Sequence, residues 1–247
     1  MGSIPKIRWT PSEDPFGTNQ STPQVSRSLL RAIGERKAHQ MNHVQIAYDS
    51  VAAEYAEKFF HELDHKPLDR KLLDLFGERM AKSGRVCEVG CGPGEVAAYL
   101  ANRGVPVYGI DISEMMIQTA RRLSPTIHFE TGDMLSLQAD VNSLAGIVGF
   151  YAIVNLSRAE IERALVEFYR TLQPSAQLLL SFHVGDETLH LAEFLGKRAE
   201  LNFFFYPVDT VRTMLTRAGF HIDEVIIRSP YETVEHPSQR AYIFGRK

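Results

Sequence analysis

Two short stretches carry residue types that could do chemistry. Residues 61–65 read His-Glu-Leu-Asp-His. On a helix this spacing sets His61 and His65 on one face, one turn apart, with Glu62 beside them. That arrangement holds a zinc ion and its general base in metal hydrolases. Residues 88–94 read Glu-Val-Gly-Cys-Gly-Pro-Gly. The alternate glycines Gly90, Gly92 and Gly94 let the backbone turn tightly and approach a ligand closely. The spacing is not the G-x-G-x-x-G of dinucleotide binders, which disfavours a nicotinamide oxidoreductase. No G-K-[ST] follows, which excludes a P-loop.

Acidic residues stand downstream of this loop. Asp111 comes seventeen residues past Gly94, at the end of a predicted strand, where a carboxylate can accept hydrogen bonds from two ribose hydroxyls. Capping of its own turn is the other role open to it. Asp133, in Gly132-Asp133-Met134, can bond an exocyclic amine while a backbone N–H bonds a ring nitrogen. The glycine loop contains no Lys or Arg, the usual phosphate clamps. The set describes a nucleoside site with no provision for phosphates.

Alternating elements must position these groups. β-rich runs at 85–89, 105–110, 127–130, 144–150 and 177–182 alternate with helical patterns at 95–102, 114–123 and 158–172. This is the pattern of a parallel sheet covered on both faces. A helix at 210–218 is followed by strands at 221–228 and 240–245 with no helix between them, so the last two can pair antiparallel. Upstream, Val44, Tyr48, Val51, Tyr55 and Phe59 step by three and four, and a second helix runs from Pro67 to Met80. Residues 1–37, broken by Pro5, Pro11, Pro15 and Pro23, read as an irregular arm with a short helix near 25–36. Trp9 could pin that arm to the body; a disordered tail is the other reading. The expected organisation is an arm (1–37), a helical cap (38–82) and a core (83–247) with a lid or substrate segment at about 184–208.

The 247 residues are 44% hydrophobic with a net charge of −3, against the basic balance usual for a nucleic-acid binder. No apolar run is long enough to span a bilayer. The N-terminus lacks an apolar signal core. The only cysteines, Cys87 and Cys91, fit a reducing, cytoplasmic compartment.

The series CEVGCGPGEVAAYL, VYGIDISEMMIQTARR, FETGDML and GFYAIVNL resembles the class I S-adenosylmethionine-dependent methyltransferases over roughly residues 40–247. The resemblance implies an α/β, Rossmann-like, seven-stranded and mostly parallel sheet, with helices on both faces, the last strand antiparallel and an N-terminal helical cap. It implies S-adenosylmethionine as cofactor and S-adenosylhomocysteine as product. By position it gives Gly90, Cys91, Gly92, Pro93 and Gly94 the methionine and ribose part, Glu88 the amino group and Asp111 the ribose. Ile112 and Met116 sandwich the adenine, with Asp133 and Met134 on its edge; plain core packing is their alternative. Phe150 and Tyr151 flank the sulfonium and the acceptor.

The same resemblance reframes the His-Glu-Leu-Asp-His stretch. It precedes Lys66-Pro67, and the residue before a proline is pushed out of helical conformation. A helix should therefore end here, where a zinc site needs its histidines mid-helix and a third ligand. Glu62, Leu63, Lys66, Pro67, Asp69 and Arg70 match an E-L-x-x-K-P-x-D-R phrase in the cap of a methyltransferase subgroup, and neither histidine belongs to it. Tyr48 is expected at the cofactor carboxylate, with Arg70, and after it Lys66, supplying opposing charge. No metal is expected.

His183, at the end of the fifth core strand, is the candidate general base; satisfying local backbone groups is its other reading. Asn155 stands where relatives often carry histidine. Phe203, Phe204, Phe205 and Tyr206 read either as an apolar pocket wall or as a buried strand. The equivalent of an N-P-P-[YF] sequence reads GFYA, which with the acidic balance argues against nucleic-acid methylation. The function expected is methyl transfer to oxygen or nitrogen of a small molecule by a monomer or homodimer, with no membrane partner. The rivals are a non-transferring cofactor-binding module and, much weaker, a zinc hydrolase.

Overall fold

The computed structural model describes the backbone of residues 27–247 and the side chains of 43–247, Thr233 excepted. Trp9 and the first part of the expected arm lie outside the described residues. Contacts divide the chain into Met1–His39 and Gln40–Lys247. From Arg27 the backbone is helical, and α1 runs unbroken as Arg27–Phe59. The expected short helix near 25–36 and the expected helix from Val44 are thus one element.

A tight 3-10 turn, Glu62–His65, links α1 to α2, Pro67–Met80. Pro67 occupies the first turn of α2, where its missing N–H costs nothing. Then come β1 Val86–Val89, α3 Glu95–Ala101, β2 Val107–Asp111, α4 Glu114–Leu123, β3 His128–Thr131 and β4 Leu144–Phe150. The second half holds α5 Arg158–Thr171, β5 Leu172–Val184, β6 Thr188–Phe194, β7 Lys197–Phe204, α6 Val208–Arg217, β8 His221–Arg228 and β9 Gln239–Arg246.

Seven strands form one sheet in the order β3-β2-β1-β4-β5-β9-β8. β1 to β5 pair in parallel, while β9 lies antiparallel to both β5 and β8. This is the expected sheet, with its one reversed strand. It is buried on both faces, and period-two alternation shows how. Along β5, Leu178, Leu180 and Phe182 enter the cluster that contains Ile161, Leu165 and Phe168 of α5. Leu179 enters the other cluster, with Leu72 and Phe76 of α2 and Leu100 of α3. β9 divides likewise: Ala241 and Ile243 go to the first cluster, Tyr242 and Phe244 to the second. Successive side chains on a strand point to opposite faces, so a near-continuous apolar run serves both layers.

The segment expected as a lid is a β-hairpin. β6 and β7 form a separate two-stranded sheet, joined through Leu195 and Gly196, both at positive φ (51° and 77°). Two such residues between paired Phe194 and Lys197 make the primed turn that matches strand twist. The hairpin packs against α1: Ala199 and Leu201 bury with Ala47, and Lys197 reaches the Ser50 carbonyl at 2.5 Å and Glu54 at 2.7 Å.

Candidate active site

A cavity of about 740 Å³ opens at the carboxyl ends of the central strands, where open α/β sheets bind ligands. One end of its floor is the glycine loop between β1 and α3. Gly90, Gly92 and Gly94 all have positive φ (62°, 51° and 84°). A Cβ on Gly94 would meet the Phe129 ring at 2.6 Å. The chain therefore packs against β3 at Gly94 and turns up toward the cavity at Gly92.

Asp111 holds that turn. Its carboxylate accepts the Gly92 N–H and the Ser113 N–H, each at 2.8 Å. Ionised carboxylates offer about four acceptor sites, so roughly two remain for ligand hydroxyls. The turn-capping role and the ribose role are therefore compatible. Burial, and then the nearby Asp49 carboxylate, push the Asp111 pKa up against the pull of its backbone bonds. Asp49 reaches from α1 to accept Ser113 Oγ at 2.6 Å and the Met115 N–H at 3.1 Å, which fixes the cap to the start of α4.

Glu88 is buried, and its Oε2 accepts the Ala97 N–H at 2.8 Å from the first turn of α3. Burial drives its pKa well up. A buried acid whose charge is disfavoured suits a cationic partner such as an amino group. Asp133 accepts the Leu135 N–H at 2.8 Å in a local turn and lines the cavity. Cys91, Pro93, Ile112, Met116, Met134 and Phe150 line it as well. Most of the expected cofactor set thus faces one space. These side chains and the glycine backbone fit an adenosyl and amino-acid moiety, and the loop itself carries no basic side chain to suit a phosphate.

The roof is aromatic. Tyr48, Tyr55 and Phe59 come from α1, and Phe194 and Phe203 from the hairpin. Tyr48 donates to Asn155 Oδ1 at 2.8 Å, and Asn155 Nδ2 donates to the Asn202 carbonyl at 2.8 Å. One side chain after β4 therefore ties the cap to the hairpin. The Tyr48 hydroxyl is spent on Asn155, and its pKa is raised by burial and then by Asp111. Alternation in β7 makes the aromatic run both a strand and a wall. Phe203 and Phe205 line the cavity, while Phe204 and Tyr206 pack into the sheet core.

The far end is polar. Tyr151, just past β4, has a φ of 54°, an uncommon conformation for an aromatic residue that the surroundings must enforce. Its N–H donates to the Ser181 carbonyl at 3.0 Å, and its ring lies 5.1 Å from that of His183. Lys66 Nζ sits 5.1 Å from the Tyr151 ring centroid and pairs with Glu62 at 2.7 Å and Glu235 at 3.3 Å. His183 Nδ1 meets Ser238 Oγ at 2.9 Å. Burial, with Arg240, His236 and Lys66 adding positive charge, lowers its pKa to about 3. It is a neutral imidazole near pH 7, in contrast to a base resting close to neutrality.

Arg70 does not line the cavity. Its guanidinium donates to the Leu63 carbonyl at 2.6 Å and so braces the turn between the cap helices. Lys66, just before Pro67, lines the cavity where Arg70 does not. His61, just before the 3-10 turn, and His65, at its end, are exposed beyond the end of α1. Among the described residues no group of three or more His, Cys, Asp or Glu is placed to hold a metal ion, and no helix is long and apolar enough to cross a membrane.

The sequence reading missed Arg240 of β9 and its neighbours Arg228, Glu235 and His236. A charged residue at the head of the apolar run Ala241–Phe244 was the available signal. Asp69, matched to the cap phrase but given no role, is fully buried and lines the cavity beside them.

The sheet order, the crevice and the acids at the ends of β1 and β2 define a Rossmann-like fold built to hold a nucleoside. Residues 86–175 match the family model described as a methyltransferase domain. An uncharacterized methyltransferase of Oceanobacillus iheyensis is 28% identical over 148 residues, covering 56% of this chain and 70% of its own length. A malonyl-[acyl-carrier protein] O-methyltransferase of Enterobacter lignolyticus is 26% identical over 170 residues, covering 61% of this chain and 65% of its own length. Among solved structures, the magnesium protoporphyrin IX methyltransferase of Synechocystis with bound S-adenosylhomocysteine superposes with a TM-score of 0.65. It is 17% identical and covers 84% of this chain and 99% of its own. Residues 86–175 thus form a methyltransferase domain, and the fold is the one seen in solved S-adenosylmethionine-dependent methyltransferases.

Proposed function

We propose that this methyltransferase acts on a small molecule, at oxygen or nitrogen, held under the aromatic roof. The observation that carries the reading is the continuity of the cavity, which runs from the glycine loop past Phe150 to Tyr151 and His183 beneath Phe194 and Phe203. Its volume suits a drug-sized ligand, and its wall suits an apolar or planar one. The relative named as an O-methyltransferase supports oxygen as the acceptor atom.

Bound S-adenosylmethionine supplies an electrophilic methyl group. The chain has to align an acceptor with it and keep water out, and such positioning accounts for much of the rate. Glu88, Asp111 and Asp133 hold the cofactor end, while Phe150 and Tyr151 stand between the two ends. Tyr151 and His183 touch the acceptor. His183, neutral and fixed by Ser238, orients it by hydrogen bonding. A strong base is needed only for an acceptor that arrives protonated.

A screen of phenols, amines, carboxylates and thiols for methyl acceptance, read as S-adenosylhomocysteine released, tests this reading. Product with one equivalent of S-adenosylhomocysteine supports it. Tight cofactor binding with no transfer to any class would move the chain to the non-transferring module.

A further inference from the structure

Around the acceptor end of the cavity lies a buried charge cluster that cofactor binding does not use. Arg228 Nη2 pairs with Asp69 at 2.8 Å, and Arg228 Nη1 with Glu235 at 2.6 Å. Asp69 also accepts from the Tyr242 hydroxyl at 2.7 Å, and Glu235 from the Tyr231 N–H at 2.8 Å. Asp69 is thereby committed to Arg228 and Tyr242, while Glu235 is shared among Arg228, the Tyr231 N–H, Lys66 at 3.3 Å and Arg240 at 3.5 Å. Against burial, those bonds and the nearby cations hold Glu235 down to about 2, so it stays ionised.

Arg240 is left under-compensated. Its side chain is 3% exposed, and its nearest carboxylate is Glu235 at 3.5 Å. Nη1 donates to the carbonyls of His236, at 2.6 Å, and Ser238. Nε is buried with no hydrogen-bond partner among the described residues. Buried guanidinium groups are held in place by anions, and an unpaired one is costly. Arg240 faces His183 across the β5–β9 ladder, and both line the cavity with Lys66. Three buried cations, Lys66, Arg228 and Arg240, thus meet two buried acids, with Glu62 at the rim reaching only Lys66.

Position along the sheet separates this cluster from the cofactor. The glycine loop, Asp111 and Asp133 follow β1, β2 and β3, whereas Tyr151, His183 and Arg240 stand at β4, β5 and β9. We infer that the acceptor is an apolar small-molecule carboxylate, with its anionic group bound by Arg240 and hydrogen-bonded by His183, and its body lying against Phe203 and Phe205. This rests on the proposed methyl-transfer reading and names its substrate class. A guanidinium fork matches a carboxylate in geometry as well as charge. Burial is the main cause of the lowered His183 pKa, and Arg240, His236 and Lys66 add to it a positive charge that an anion would offset.

Calorimetry on the S-adenosylhomocysteine-loaded protein at pH 7 tests it with 2-naphthoate and, as the neutral isostere, 2-naphthamide. The expected result is naphthoate binding at least about tenfold tighter than naphthamide, the scale of one charge-assisted contact. That preference should fall to within about twofold in Arg240→Gln and survive in part in Arg240→Lys. Equal binding of the two probes to the wild-type protein overturns the inference and needs no variant. An unchanged preference in Arg240→Gln overturns it as well. S-adenosylhomocysteine affinity is measured first in each protein: its absence from wild type would count against the cofactor site itself, whereas its presence with no probe preference counts only against the carboxylate.

Discussion

The Asp111 carboxylate accepts the Gly92 N–H at 2.8 Å, joining the end of β2 to the middle of the glycine loop nineteen residues earlier. The same group shapes the loop and lines the cavity. In Asp111→Ala the loop loses an anchor and, on the proposed reading, the ribose loses its acceptor. Hydrogen bonds to a charged group contribute about 1.5–3 kcal/mol each. S-adenosylhomocysteine affinity, measured by calorimetry, should fall by about 100-fold or more. Affinity within a few-fold of wild type would show that the ribose is held elsewhere.

Much of this was legible in the sequence, because strand runs bounded by glycine turns and helical periodicity carry strong signals. The limits of β4, α4 and β8 fall where the pattern places them. The hairpin was not legible. Leu195 occupies a positive-φ position that pattern reading assigns to Asn, Asp or Gly, so no turn announces itself between β6 and β7. Arg240 was missed for a related reason: its neighbours set the strand, while its partners Glu235 and His183 are brought to it only by tertiary pairing. The direction of the Arg70 side chain toward the Leu63 carbonyl was not legible, because a matched phrase fixes a position in the chain but says nothing of where a long side chain points.

The same hairpin turn gives a stability prediction. A non-glycine residue in the left-handed region costs roughly 1–2 kcal/mol, and Asn bears it better at a primed turn. Leu195→Asn should raise Tm by about 2–4 °C, the shift that roughly 1 kcal/mol produces in a chain of this size. Because Leu195 is half-buried, lost packing opposes the gain. Differential scanning calorimetry decides the sign, and a lower Tm would mean that packing wins.

Buried ionisable groups shape the pH dependence. His183 has a folded pKa of about 3, below its ordinary value near 6.5. Between these values the unfolded chain binds the extra proton, so this contribution is present above about pH 6.5 and is lost as pH falls toward 3. Glu95, pushed up to about 8 chiefly by burial, acts the other way. Its contribution is present below the ordinary carboxylate value, near 4.3, and is lost as pH rises toward 8. In Glu95→Gln, Tm relative to wild type should therefore climb steadily from about pH 5 to pH 8. In His183→Asn it should climb as pH falls from about 6.5 to 4. A pH-independent difference in either variant would contradict the assigned shift.

Asn155 bridges the Tyr48 hydroxyl and the Asn202 carbonyl, each at 2.8 Å. Asn155→Ala leaves both groups without that partner, at a cost of about 1–3 kcal/mol if they stay dry. Since the bridge joins α1 to the hairpin, hydrogen exchange should accelerate in β6 and β7 while β1 and β4 keep their protection. Uniform acceleration across the sheet would mean that the bridge supports the whole fold and not only the roof.

Around the 3-10 turn Glu62–His65, two histidines and Arg70 play different parts. His61 and His65 are exposed, and surface substitutions of this kind usually fall within about 0.5 kcal/mol. His61→Ala and His65→Ala should therefore leave Tm and S-adenosylhomocysteine affinity unchanged. Arg70 donates to the Leu63 carbonyl at 2.6 Å, while the Leu63 N–H donates to Glu95 Oε1 at 2.8 Å. Leu63 is thus pinned from both sides, by α2 and by the first turn of α3 beside the glycine loop. Loss of Arg70 releases one side, so Arg70→Ala should cost about 1.5–3 kcal/mol in stability, the scale of a hydrogen bond from a charged donor. Cofactor affinity should fall only a few-fold, because the guanidinium does not line the cavity. Loss of binding with an unchanged Tm would reverse this assignment and restore Arg70 as a ligand contact.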